Sequence, residues 1–267
     1  MQEIVYLIHT EGDFEGSNKT PIFDRFYFIE QVHPGDKPEI EKCLAEKPPR
    51  LIKTHLPTRF FEKTIQKKQT KFVVVFRNTK DMLASYYNFY KSGEFDFDKN
   101  GSWQDFYERF KNNKLVHGSH FDMQLSWWKY RDDPRFLIVK YEDMLDDPKK
   151  AIRQVADHLN KKLSDDLLQK IVERTSFKFM KSHPMLNYST FGGLDTADTP
   201  FIRKGLIGDW KNYFSEEQRQ YVDKLINEKF EIVHQGLVIK PTPIFQYPKI
   251  LGSYLRHYKY VILFVCY

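Results

Sequence analysis

The sequence predicts an α/β domain with a mainly parallel central sheet flanked by helices. Three observations carry this. The runs 71–76 (KFVVVF) and 135–139 (RFLIV), with the shorter 50–53 (RLIK), are apolar without polar alternation, as strands covered on both faces are. A helical pattern follows each of the two longer runs. Strands that alternate with helices give a parallel sheet, because parallel neighbours need a crossover connection.

Composition bounds the rest. The chain has 267 residues, 41% of them hydrophobic and 16% aromatic, so it can bury a core and is not disordered. A net charge of +6 favours anionic ligands or membrane surfaces without choosing between them. Cys43 and Cys266 are the only cysteines, which gives neither a disulfide framework nor a cysteine zinc site and fits a reducing, cytoplasmic compartment. No metal is expected. The apolar run 4–8 is too short for a signal-peptide core, and no window approaches the ~20 apolar residues of a membrane helix. The basic run 67–71 (KKQTK) brings no nucleic-acid motif with it, so nucleic acid is not an expected partner.

In chain order, 2–9 reads as the end of an amphipathic helix with no cap or lead-in. A polar loop at 11–20 and an aromatic cluster at 21–29 in a loop-like setting follow, then a short helix at 39–45. After strand 71–76, Asn78 caps a helix over 79–90, and two more helices span 103–112 and 118–130. After strand 135–139, Pro148 opens a helix over 149–159, and another covers 164–175. The stretch 182–200 is a long loop of the kind that often forms lids or binding loops. Ser215 caps the last helix, 215–233. Beyond Gly236 the chain becomes rich in Pro and aromatics, which predicts a domain over 1–237 and a divergent tail over 238–267. Within the tail, 260–266 (YVILFVC) reads as a buried strand.

The most informative stretch is 203–211, RKGLIGDWK. Arg203 and Lys204 directly precede Gly205, where backbone can approach an anion closely, and Gly208-Asp209 make a turn anchored by Trp210. A basic surface turn is the plain alternative. Ligands of open α/β sheets sit beyond the carboxyl ends of strands, so each strand end is a candidate. After RLIK, Pro57 stops the chain and leaves His55 at the strand mouth, on one face with Lys53. The lysine's charge favours a neutral imidazole, suited to act as a base. After KFVVVF, Arg77 and Ser85 flank a helix N-terminus and suit an anion, although Arg77 could instead pair with Asp81. After RFLIV, Tyr141 suits a nucleobase edge or ordinary core packing. Phe23, Phe26, Phe28, Tyr86, Phe89 and Phe201 fall near these strand ends and could wall an apolar pocket.

These residues resemble the cytosolic sulfotransferase family. The similarity lies in KTHLP at 53–57, VFRNTKDMLASYYNFY at 75–90, KYEDM at 140–144, TSF at 175–177 and RKGLIGDWK at 203–211, in family order and spacing over residues 1 to about 237. The resemblance implies a P-loop-NTPase-like fold. It also implies transfer of a sulfuryl group from 3′-phosphoadenosine 5′-phosphosulfate (PAPS) to a hydroxyl or amine of a small acceptor, phenolic or an apolar alcohol. His55 would be the general base and Lys53 would neutralise the sulfuryl oxygens. Arg77, Ser85, Arg203, Lys204 and Gly205 would hold the 3′-phosphate, and Tyr141, Thr175 and Phe177 would contact the adenosine. Phe28 and Phe89 match acceptor-pocket positions.

The family pattern is not complete in these residues. It begins with a strand and a Ser-Gly-Thr-Thr-Trp-type loop that wraps the 5′-phosphosulfate and supplies a lysine and a tryptophan. The similarity here starts at Met1, within the helix that follows that loop, so the expectation is a fold without its first strand and with very low transferase activity. The alternative is a catalytically inactive nucleotide-binding or regulatory fragment. The family's dimer motif reads here as Lys211, Ser215, Glu216 and Gln220, with glutamate in the place of an apolar valine, which leaves a homodimer open.

Overall fold

The structure, a computed structural model, describes residues 1–32, 35–93 and 97–234, the side chains of 230–234 excepted. The expected tail, 238–267, and its apolar run lie outside the described residues. Sixteen helices and strands follow in chain order: α1 (Gln2–His9), α2 (Phe14–Lys19), β1 (Tyr27–Phe28), α3 (Glu39–Ala45), β2 (Ile52–Lys53), α4 (Glu62–Gln66), β3 (Phe72–Phe76), α5 (Thr79–Ser92), α6 (Trp103–Lys111), α7 (His120–Trp128), β4 (Phe136–Lys140), α8 (Tyr141–Asp146), α9 (Pro148–His158), α10 (Asp165–Arg174), α11 (Phe177–Ser182) and α12 (Glu216–His234).

The parallel α/β architecture is as the sequence predicts. β1 pairs with β2 and β3 with β4, both in parallel. β3 is buried at all five positions and serves two cores by strand alternation. Phe72, Val74 and Phe76 face Ile52, Leu56, Phe61 and Trp127 on one side. Val73 and Val75 face Ile4, Val5 and Ile8 of α1 and Ile152 and Val155 of α9 on the other. A third cluster joins α5, α6, α7 and α12 through Tyr86, Tyr90, Phe106, Leu125 and Val222.

Among the described residues the strands form two separate pairs rather than one continuous ladder. Phe72 donates its N–H to the Arg135 carbonyl at 2.8 Å. Ladder alternation therefore turns the N–H and C=O of Val73 and Val75 toward the opposite edge, where no backbone partner is found among the described residues. Tyr27 and Ile29 donate to the carbonyls of Leu51 and Lys53, so the Ile52 backbone likewise faces away from β1.

Three local expectations need correction. Residues 11–20 are not all loop: Asp13 accepts a hydrogen bond from the Gly16 N–H and caps the short helix α2. The aromatic cluster contains strand β1. The chain after α10 turns at once into α11, capped by Ser176, so the long loop is preceded by a helix that periodicity does not show in six residues. Asn78 caps α5 as expected, accepting from the N–H groups of Lys80 and Asp81.

Candidate active site

Two strand ends place the first pair of site residues. Phe76 and Lys140 are partners in the β3–β4 register, so the residues that follow, Arg77 and Tyr141, emerge side by side. The Arg77 guanidinium carbon lies 4.5 Å from the Tyr141 ring centre. Glu142 locks the two turns together by accepting the Asn78 N–H at 2.8 Å. The alternative pairing of Arg77 with Asp81 is not formed. The Asp81 carboxylate is buried and instead accepts the N–H groups of Gly208 at 2.7 Å and Trp210 at 3.0 Å, tying the RKGLIGDWK loop to the start of α5. Lys80 reinforces the tie, 4.8 Å from the Trp210 ring centre and ion-paired to Asp223.

Within that loop Gly205 and Gly208 have φ of +63° and +87°, conformations that suit glycine. A Cβ at Gly205 would also run into the Phe177 ring, so the loop lies flat on the first residue of α11. Arg203 and Lys204 both pair with Asp209, the latter at 2.6 Å. Burial would raise the Asp209 carboxyl, but hydrogen bonds from Lys204, Arg203 and Asn212 outweigh it and hold it down, to about 2. Lys181 of α11 donates to the Arg203 carbonyl at 3.1 Å.

All of these segments meet at one cavity of about 280 Å³. Arg77, Ser85, Tyr141, Thr175, Phe177, Arg203, Lys204 and Gly205 line it together, with Phe89 and Phe201. Its cationic side chains among the described residues are Arg77, Arg203 and Lys204.

Lys53, His55 and Phe28 form a second cluster at the β1–β2 end. Phe28 and Lys53 are register partners, and the Lys53 Nζ sits 4.5 Å from the Phe28 ring centre. The His55 ring meets Phe28 edge-on at 5.3 Å and faces the His117 ring at 4.9 Å. His55 is buried rather than exposed at a strand mouth, with 3% of its surface accessible. Burial, with the Lys53 charge added, pushes the His117 imidazole down to about 3. Tyr188 links the clusters, 5.8 Å from the Lys53 Nζ and 4.2 Å from the Phe201 ring, which in turn lies 6.0 Å from Phe89. Sequence reasoning misses His117 and Tyr188, and it reads Asp81 as a possible partner of Arg77 and Asp209 as a turn residue rather than as the anchoring carboxylates they are.

The family whose description is "Sulfotransferase domain" matches residues 1–233. The chain is a member of the sulfotransferase family. It is 40% identical over 231 residues to sulfotransferase 1C2 of Rattus norvegicus, covering 86% of this chain and 78% of the relative. It is 37% identical over 225 residues to sulfotransferase 1A1 of Mus musculus, covering 84% and 77%. Among solved structures, retinol dehydratase in complex with androsterone and the inactive cofactor PAP superposes with a TM-score of 0.77 at 26% identity, over 90% of this chain and 78% of that one. A mouse sulfotransferase complexed with PAP gives 0.62 at 31% identity, over 73% and 70%. The general chemistry of a sulfotransferase is sulfuryl transfer from PAPS, and the parallel α/β fold is that of these neighbours. No helix among the described residues is long and apolar enough to cross a membrane.

Proposed function

We propose that this sulfotransferase binds the nucleotide of PAPS in the 280 Å³ cavity and serves a small acceptor lying against His55. One observation carries the reading: eight residues from separate chain segments converge there, three of them cationic, beside a serine hydroxyl and an aromatic wall. That donor set fits a phosphorylated adenosine. Arg77, Ser85, Arg203, Lys204 and Gly205 hold its 3′-phosphate, and Tyr141, Thr175 and Phe177 border the adenosine. When bound, PAPS supplies a sulfuryl group on a phosphate leaving group. His55 takes the proton of the acceptor's hydroxyl or amine, and Lys53 neutralises charge gathering nearby. Phe28 and Phe89 form the apolar wall, which suits a phenol or another apolar alcohol.

Titration calorimetry with 3′-phosphoadenosine 5′-phosphate tests the first half. Arg77→Ala and Arg203→Ala are each expected to weaken binding about tenfold or more, since a charge-assisted hydrogen bond contributes ~1.5–3 kcal/mol. Unchanged affinity in both would refute the assignment.

The alternative is nucleotide binding without useful turnover. A radiolabelled sulfuryl-transfer assay separates the two, and ordinary turnover decides for the enzyme. Glu216, in the dimer motif, is engaged within its own helix by Arg219 and Gln220, which supports a chain that does not pair through that segment. Sedimentation velocity checks this.

A further inference from the structure

Glu30 follows β1 and reaches across to the end of β2. Its Oε1 accepts the Thr54 hydroxyl at 2.8 Å and the backbone N–H of His55. The other oxygen, Oε2, is enclosed and has no hydrogen-bond partner among the described residues, although the residue as a whole keeps part of its surface. Neither bond belongs to the β1–β2 ladder, whose last backbone contact is Ile29 N–H to the Lys53 carbonyl at 3.3 Å. Beyond Lys53 the chain would leave the sheet without a guide, and Pro57 removes one donor that could have supplied one. The carboxyl replaces the absent neighbouring strand for two residues. Thr54 is itself held twice, since its Oγ1 also accepts the Leu56 N–H at 3.1 Å.

We propose that Glu30 is a positioning residue for His55: its carboxyl fixes the main chain at Thr54 and His55 and so sets where the imidazole is presented. This rests on the reading of His55 as the base. A buried imidazole packed between Phe28 and His117 has little room to recover if its backbone shifts, and misplacement of a catalytic group by about 1 Å can cost on the order of 10²-fold in rate.

The carboxyl is also tuned. Burial raises it, against the hydrogen bonds from His55 and Thr54 and the charge of Lys53, to about 7. The titratable and charged groups facing this region are Lys53 and His55 from the end of β2 and His117 from the segment ahead of α7. As pH rises through about 7 Glu30 becomes a carboxylate, which is the stronger acceptor for the His55 N–H.

Nuclear magnetic resonance on the full chain tests this without requiring turnover. With carboxyl-¹³C glutamate and ¹⁵N backbone labels, the Glu30 carboxyl and the His55 amide are expected to titrate with a common midpoint. Glu30→Gln, whose amide oxygen still accepts, should keep the downfield His55 amide proton but lose that midpoint, whereas Glu30→Ala should move the amide upfield and shift the His55 ring resonances. Where transfer is measurable, Glu30→Ala should lower kcat about 10²-fold with the nucleotide KM unchanged, and Glu30→Gln should restore most of it. An unchanged His55 amide and ring in Glu30→Ala overturns the proposal. If Glu30→Ala does not fold, a His55 midpoint that survives in Glu30→Gln does so. Calorimetry with 3′-phosphoadenosine 5′-phosphate on the unsubstituted chain separates this outcome from failure of the nucleotide reading, which would leave the His55 coupling intact.

Discussion

Asp209 sets the state of two cations before any ligand arrives. Arg203 and Lys204 both rest on its carboxylate, so any anion that entered the cavity would share or displace a partner already in place. The cost of holding two long cations ready is thereby met within the loop, and the anion meets side chains that are already oriented. His120 shows the opposite treatment of a titratable group. It is 9% exposed, its Nε2 has no hydrogen-bond partner among the described residues, and burial pushes its imidazole down to about 3. An unfolded chain takes up a proton on this ring near pH 6.5, whereas the native chain does not until far lower. The unfolded state therefore binds more protons between those values, and the stability present above pH 6.5 falls as the pH drops. Urea midpoints at pH 7 and pH 5 should separate more for the unsubstituted chain than for His120→Phe, and an equal separation would refute this origin.

At the scale of elements, Glu3 joins four of them from within the core. One oxygen accepts from Ser17 of α2 at 2.5 Å and from Arg174 of α10 at 3.1 Å, and the other lies 2.7 Å from Arg25, just ahead of β1. The Arg25 and Arg174 guanidinia also lie 4.4 Å from Tyr6 and 4.7 Å from Phe179, which brings α11 into the set. Two buried cations around one carboxylate make Glu3→Ala costly, because both would lose their counter-charge. A loss of about 3–5 kcal/mol in urea unfolding followed by tryptophan fluorescence is expected, and a loss under ~1 kcal/mol would show that the cluster is solvated. The bounds of α1 were legible from its apolar spacing, but the role of Glu3 was not. An acidic residue in a first turn reads as ordinary dipole compensation, and its partner Arg174 lies 171 residues away. Helices α2 and α11 escaped for a different reason: six residues each are too few to show a period, and only the caps Asp13 and Ser176 signal them.

For the molecule as a whole, the residues that line the cavity were readable because strand ends and loop glycines carry their own signals. Arg77, Tyr141 and Gly205 each follow from a local rule applied to a local run of residues. Glu30, Asp81 and His117 do not, since each acts on a segment that the fold alone brings near, and Asp209, whose partners Arg203 and Lys204 lie in its own loop, reads only as a turn residue. The sheet was read as one unit, and here the structure differs, with consequences for how the molecule breathes. The N–H and C=O groups of Val73 and Val75 make no ladder hydrogen bond among the described residues, while those of Val74, between them, face β4. No ladder hydrogen bonds cross from β2 to β3, so the two pairs are held to each other by side-chain packing around Ile52 and Val74 and by scattered side-chain hydrogen bonds such as Trp127 Nε1–H to the Leu56 carbonyl at 3.0 Å. Such halves can open as distinct cooperative units, well below the energy of global unfolding. Amide hydrogen–deuterium exchange should then show Val73 and Val75 exchanging faster than Val74, and the β1–β2 end losing protection before β3–β4. Equal protection along β3 would mean that the inner edges are bridged in solution. His55 stands on the half expected to open first and the 280 Å³ cavity on the other, so the separation of these two candidate site regions is the coordinate expected to give first in this chain.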